Sequence, residues 1–209
     1  MKKLLSLVLA LLLALSFAGC SGSTAMTEAN VTATVDSAFD ALKRFDTKKL
    51  EKYVDSKTLS VIITYANKHD QFADLGKALF KNLEYSIESI DLDAKTVTVS
   101  VRNKDLKDTA SAFTKALVSK YSALQMLSLL NNEAWLNTSL KSLTDSIAIA
   151  KMQSAPVSVT LTVTAGKKNL MLGFDDTAEN AVSGGALQAV KSLTSGLTGS
   201  KSTTESTSN

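Results

Sequence analysis

Val31, Val35, Ala38, Phe39, Leu42 and Phe45 recur at intervals of three and four, which predicts an amphipathic helix with one buried face. Asp46 is placed to cap a second, short helix carrying Leu50, Tyr53 and Val54. Ser56 is placed to cap a third, with Leu59, Ile62, Ile63 and Ala66 inward, and Phe72, Leu75 and Leu79 mark a fourth. The period then falls to two. Leu83, Tyr85 and Ile87 alternate with polar residues, Ile90 to Lys95 reads as a turn, and Val97, Val99 and Val101 alternate again, so a β-hairpin is predicted. Helical spacing returns at Leu106, Ala110, Phe113, Leu117, Tyr121 and Leu124, read as one helix. A second helix, with Trp135 or Leu136, Leu140, Leu143 and Ile147, follows Asn131-Asn132 to complete an αα-hairpin.

Pro156 ends that helical region, since it fixes its own backbone and has no amide proton to donate. Val157, Val159, Leu161 and Val163 form the next alternating run. A turn at Ala165-Gly166-Lys167-Lys168 leads to Leu170, Leu172 and Phe174, giving a second hairpin. Asp176-Thr177-Ala178-Glu179 has the pattern of a capping box, so a last helix is expected toward Leu193, with Gly184-Gly185 as a point of interruption. The two hairpins can join into one four-stranded antiparallel sheet, with the leading helices on its apolar face and the αα-hairpin inserted between them. The expected class is α+β.

Composition narrows the picture. The chain has 209 residues, 44% hydrophobic and 21% charged, with one cysteine and one histidine. That suits a single globular domain and excludes disulfide-built and His/Cys zinc folds. The N-terminus explains the cysteine. Lys2 and Lys3 precede an apolar run from Leu4 to Ala18 broken only by Ser6 and Ser16, the layout of a secretory signal. Fifteen helical residues reach about 22 Å, short of the roughly 30 Å of a hydrocarbon core. Phe17-Ala18-Gly19-Cys20 then resembles the bacterial lipobox, with Phe17 in place of the more usual leucine. This resemblance implies cleavage before Cys20 and acylation of its thiol.

The expected organisation is therefore a signal peptide over 1–19, a lipidated tether over 20–27, a domain over 28–196 and a Ser/Thr-rich disordered tail over 197–209. Several acyl chains would anchor the protein firmly to the outer face of the bacterial cytoplasmic membrane. The tether, at about 3.5 Å per residue, would hold the domain within roughly 25 Å of the lipid. Removing Lys2 and Lys3 lowers the formal charge from +3 to +1. No clustered basic face for nucleic acid is evident.

The order of elements, with Ala41-Leu42-Lys43-Arg44-Phe45-Asp46-Thr47-Lys48-Lys49-Leu50-Glu51-Lys52-Tyr53-Val54, the strand from Thr96 to Val101 running into Asn103-Lys104-Asp105-Leu106, and the closing strand with its Ala186-Leu187 helix, resembles Gram-positive lipoproteins. These carry a domain of unknown function with a nuclear-transport-factor-2-like (cystatin-like) fold. The resemblance implies a curved sheet wrapped around a long helix, leaving a cone-shaped cavity, and no assigned reaction. Such domains tend to place a tryptophan where this chain has Lys168-Asn169-Leu170.

Catalytic chemistry is hard to find in the sequence. His69-Asp70 is the only adjacent pair that could supply a general base, and it reads as a helix-end histidine in a solvated loop. The serines lack a Gly-x-Ser-x-Gly elbow. Asp91 with Asp93, and Asp175 with Asp176, read as turn and cap residues rather than calcium ligands. Neither a metal nor a cofactor is expected. Tyr53, Tyr65, Tyr85 and Tyr121 read as packing residues, and Trp135 as a packing residue that could also make a contact.

The expected role is a non-enzymatic, lipid-anchored binding domain for a small molecule, a peptide or an envelope component, with Phe39, Tyr85, Trp135 and Leu172 as candidate ligand contacts. The alternatives are an isomerase or hydrolase of the same fold, marked by an ionisable residue buried at a cavity floor, and a structural partner in an envelope assembly, marked by an exposed apolar patch on the 104–152 insert.

Overall fold

A computed structural model of the chain describes residues 24–189. The expectations for Cys20, the signal peptide and the Ser/Thr-rich tail lie outside the described residues. Helix α1 (Glu28–Arg44) starts on Thr27, whose side chain accepts from the Asn30 amide, and buries Val31, Val35, Ala38, Phe39 and Leu42. It stops because Phe45 turns left-handed at φ 49° and the Asp46 amide returns to the Ala41 carbonyl. Asp46 caps α2 (Thr47–Tyr53) and Ser56 caps α3 (Lys57–Ala66), each accepting from the amide three residues on. Helix α4 (Asp70–Phe80) completes the leading group.

The sheet corrects one expectation: it has five strands, not four, and is mixed rather than wholly antiparallel. Its order is β1-β5-β4-β3-β2, with β1 (Val54–Asp55), β2 (Glu84–Asp91), β3 (Thr96–Arg102), β4 (Val157–Ala165) and β5 (Leu170–Gly173). β3 and β4 join the two hairpins through Val99 opposite Val159 and Val97 opposite Leu161. The extra strand, β1, runs parallel to β5, and the Phe174 amide donates to the Asp55 carbonyl at 2.9 Å. Val54, which the spacing places in the second helix, is instead extended at the edge of the sheet. A two-residue strand is too short to show a period.

The register of β2 shifts between Ile87 and Ser89, and this bulge lets both Ile87 and Ile90 pack on the core. On the buried face Val97, Val99, Val101, Leu161, Leu170 and Leu172 have no more than 1% of their surface exposed and pack with Phe39, Leu42 and Leu50 in one cluster.

The insert is also corrected. The helix expected to run through Leu124 ends at Lys120, because Tyr121 is extended, and a separate short helix follows. The insert therefore comprises α5 (Lys107–Lys120), α6 (Ala123–Leu129) and α7 (Glu133–Ile149) rather than a two-helix hairpin. Ser122 and Gln125 form a reciprocal capping box that starts α6, and Asn132 caps α7. The main neighbour of α7 is α4, not α5.

The insert leaves the sheet through a stem in which Asp105 donates to the Lys151 carbonyl and Gln153 to that of Asn103. Leu106, Ala110, Leu136, Leu140 and Ile147 are buried within it, outside the main cluster. Helix α8 (Asp176–Val182) is capped by Asp175 rather than Asp176, and helix resumes at 186–189. Gly184 and Gly185, at φ 61° and 85°, interrupt the helical path where the sequence suggested.

Candidate functional site

Phe39 and Leu172 have no exposed surface and belong to the main cluster. Tyr85 stacks on Phe39 with ring centroids 4.4 Å apart, and its hydroxyl donates to the Asp36 carboxylate at 2.9 Å. Burial first, then that hydrogen bond, push the Tyr85 phenol well above its ordinary range. These three candidates belong to one packed cluster against the buried face of the sheet. Trp135 lies apart from them on the insert, edge-on to Tyr121 at 6.3 Å.

Open space is found elsewhere. A groove of about 600 Å³ lies where the β1–α3 and β5–α8 junctions meet the outer face of β4. Its lining includes Asp55, Ser56, Thr58, Thr160, Thr162 and Asp175. Glu179, on α8, also borders it and is only 5% exposed. The Ser56 hydroxyl donates to Glu179 Oε1 and accepts from the Leu59 amide at 3.0 Å, while the Thr58 amide donates to the same carboxylate oxygen at 3.3 Å.

An acid from a helix 123 residues away in sequence thus sits on the N-terminus of α3, where the helix dipole favours negative charge. The capping box expected for Asp176 and Glu179 is corrected accordingly: Asp175 makes the cap, and Glu179 turns inward to Ser56. Behind this pair lies an apolar hollow, bordered by Leu42, Leu59, Ile62 and Leu187, of about 20 Å³, room for roughly one water molecule. Sequence spacing could not have found Glu179, since its partners come from another element.

His69 is the residue before α4, as expected of a helix-end histidine, but its side chain is only 13% exposed. Its Nδ1 meets Glu133 Oε1 at 2.8 Å. Gln71 Nε2 donates to both Glu133 and Asn137, so a polar seam ties α4 to α7. The His69 hydrogen bond, then that of Gln71, hold the Glu133 carboxyl below its ordinary range. The acid hydrogen-bonded to this imidazole is thus Glu133, from the insert, and not the adjacent Asp70. Beside the seam lies a cleft of about 390 Å³ bordered by Val61, Tyr65, Lys68, His69, Leu130 and Asn131. A further hollow, of about 630 Å³, runs along one face of α7 alone, so no second element converges on it.

Asp91 caps its turn by accepting from the Ala94 amide. Among the described residues no group of three or more His, Cys, Asp or Glu is arranged to hold a metal ion, and no helix is long and apolar enough to cross a membrane. The groove presents hydroxyl and carboxylate oxygens together with Lys57, chemistry suited to a polar ligand that both donates and accepts hydrogen bonds. Compared with protein-family models, with curated proteins and with solved structures, the chain matches none.

Proposed function

We propose that this protein is an exported, lipid-anchored binding domain of the bacterial envelope, acylated at Cys20, in the manner of the nuclear-transport-factor-2-like lipoproteins it resembles. The observation that carries the binding role is the groove at the β1–β5 edge. Its oxygens are held in place by caps and backbone: Ser56 is fixed as the start of α3, Asp175 as the start of α8, and Thr160 and Thr162 by the β4 ladder. Preorganised acceptors reduce the ordering cost of binding. The ligand favoured by this lining is a small polar molecule or peptide that can donate to its oxygens and accept from Lys57, rather than the apolar one that a cavity around Phe39 would have taken.

Glu179 favours a second reading, a hydrolase or isomerase, because a buried carboxylate bonded to a serine hydroxyl at the edge of a groove can take up a proton. One experiment separates the two. Protein isolated gently from membranes is examined by native mass spectrometry beside Glu179→Gln. A copurifying ligand that survives incubation unchanged supports binding. Its conversion by the wild type, with none by the variant, supports the enzyme. Metabolic labelling with palmitate should mark the wild type and leave Cys20→Ala unlabelled, and an unlabelled wild type would remove the anchoring.

A further inference from the structure

Helix α6 and its flanks, from Tyr121 to Asn132, contain no charged residue. Leu124 is 81% exposed there, and Met126, Leu129 and Leu130 are half-buried. Leu130 shares a cleft with Val61, itself 57% exposed on α3, and that helix is also uncharged from Thr58 to Asn67. Around this apolar surface stand Tyr121 and Trp135 in edge-to-face contact, Lys120 with its Nζ 5.3 Å from the Tyr121 ring centroid, and Lys68 at the cleft. Exposed aliphatic side chains within a rim of Tyr, Trp and Lys are the composition that partitions to a membrane–water interface. There indole and phenol sit at the headgroup level and ammonium groups reach the phosphates.

We infer that the tip of the helical insert rests on the bilayer interface beside the lipid anchor. Reach is compatible with this. Thr47, just beyond the C-terminal end of α1, bonds to Asn67 at the end of α3, so the tip lies toward that end of α1. The tether joins the other end. With 17 residues, α1 is about 25 Å long, and the chain from Cys20 to Glu28 spans at most about 28 Å. A domain lying with α1 along the membrane therefore brings both anchor and tip to the lipid. This pose rests on the proposed acylation, whereas the affinity of the tip for lipid does not.

Trp135 is the only tryptophan in the chain and lies in the rim, so it reports on contact directly. The chain from Ser21 onward, which contains every residue of the core and no acyl group, is titrated with vesicles of phosphatidylcholine and phosphatidylglycerol in equal parts. The expected result is a blue shift of Trp135 emission, quenching by brominated acyl chains, and cosedimentation with the vesicles. Leu124→Asp should weaken partitioning by about tenfold or more, with an unchanged urea midpoint because the side chain packs on almost nothing. Lys120→Glu should weaken it less, and more so at low salt.

Unchanged emission at saturating lipid would overturn the inference. So would a Leu124→Asp variant that partitions like the wild type, or cosedimentation without quenching, which marks purely electrostatic adsorption. Palmitate labelling of Cys20 is read separately, so loss of the anchor and loss of tip contact are told apart.

Discussion

Asn103 shows how much of this fold one side chain holds. It has no exposed surface, and its Nδ2 donates to the Leu79 carbonyl at the end of α4 and to the Val182 carbonyl at the end of α8. Its Oδ1 accepts from the Lys104 amide, and its own backbone pairs with Gln153 across the stem. Two helix ends, a strand end and the insert meet on this one amide. Asn103→Ala should therefore destabilise the protein by about 2–3 kcal/mol, since buried carbonyls would lose their donor without gaining water. Asn103→Asp should do no better, because a carboxylate cannot donate to either carbonyl. Equilibrium urea unfolding checks both, and a loss under about 0.5 kcal/mol, typical of surface sites, would contradict the assignment. Gly184 belongs to the same junction: at φ 61°, a side chain there would strike the Lys104 carbonyl oxygen, so that position requires glycine.

Between elements, the contact most open to pH is the seam joining α4 to α7. The folded state holds the Glu133 carboxyl below its unfolded value, through His69 first and Gln71 second. A group lowered in this way adds stability that is complete above the ordinary glutamate range and is lost as pH falls through the folded value. The urea midpoint of the wild type should exceed that of Glu133→Gln at neutral pH and converge on it in acid. Because the pair is largely exposed on the Glu133 side, salt should shrink the difference. Equal midpoints at every pH would show that the seam contributes nothing.

The elements differ in how plainly the sequence announces them, and the reasons are physical. Caps at Asp46 and Ser56 act on amides three residues on, and alternation in β3 and β4 is set by the pleat, so both were legible. Tertiary pairing was not: β1 exists only because β5 offers an edge, and Glu179 has its role only because Ser56 is carried to it. The apolar spacing from Leu106 to Leu124 reads as one helix because the break at Tyr121 is conformational and leaves the hydrophobic period undisturbed.

At the scale of the whole molecule, the division between sheet domain and insert makes a claim that can be tested by removing a part. The main cluster draws on α1, α2, α3, α4, α8 and the sheet, and none of its buried residues comes from the insert. The stem closes where Lys104 bridges to Met152, and partners in such a bridge lie close enough for a two-residue turn of the Asn-Gly kind to replace everything between them. A chain with residues 105–151 replaced in this way should retain the β-sheet signature in circular dichroism and unfold in one transition. Its stability should be lower, for two reasons: the face of α4 that carries α7 becomes exposed, and the Gly184 carbonyl loses the Leu106 amide. A copurifying polar ligand should stay with the shortened protein, since no residue bordering the β1–β5 groove comes from the insert. Vesicle binding by the unacylated form should disappear with the tip. If the shortened chain instead fails to fold, even where Asn103→Ala in the full chain still does, the insert is a necessary part of the domain core. If it folds and still binds vesicles as the full chain does, the membrane surface must be sought on the sheet domain.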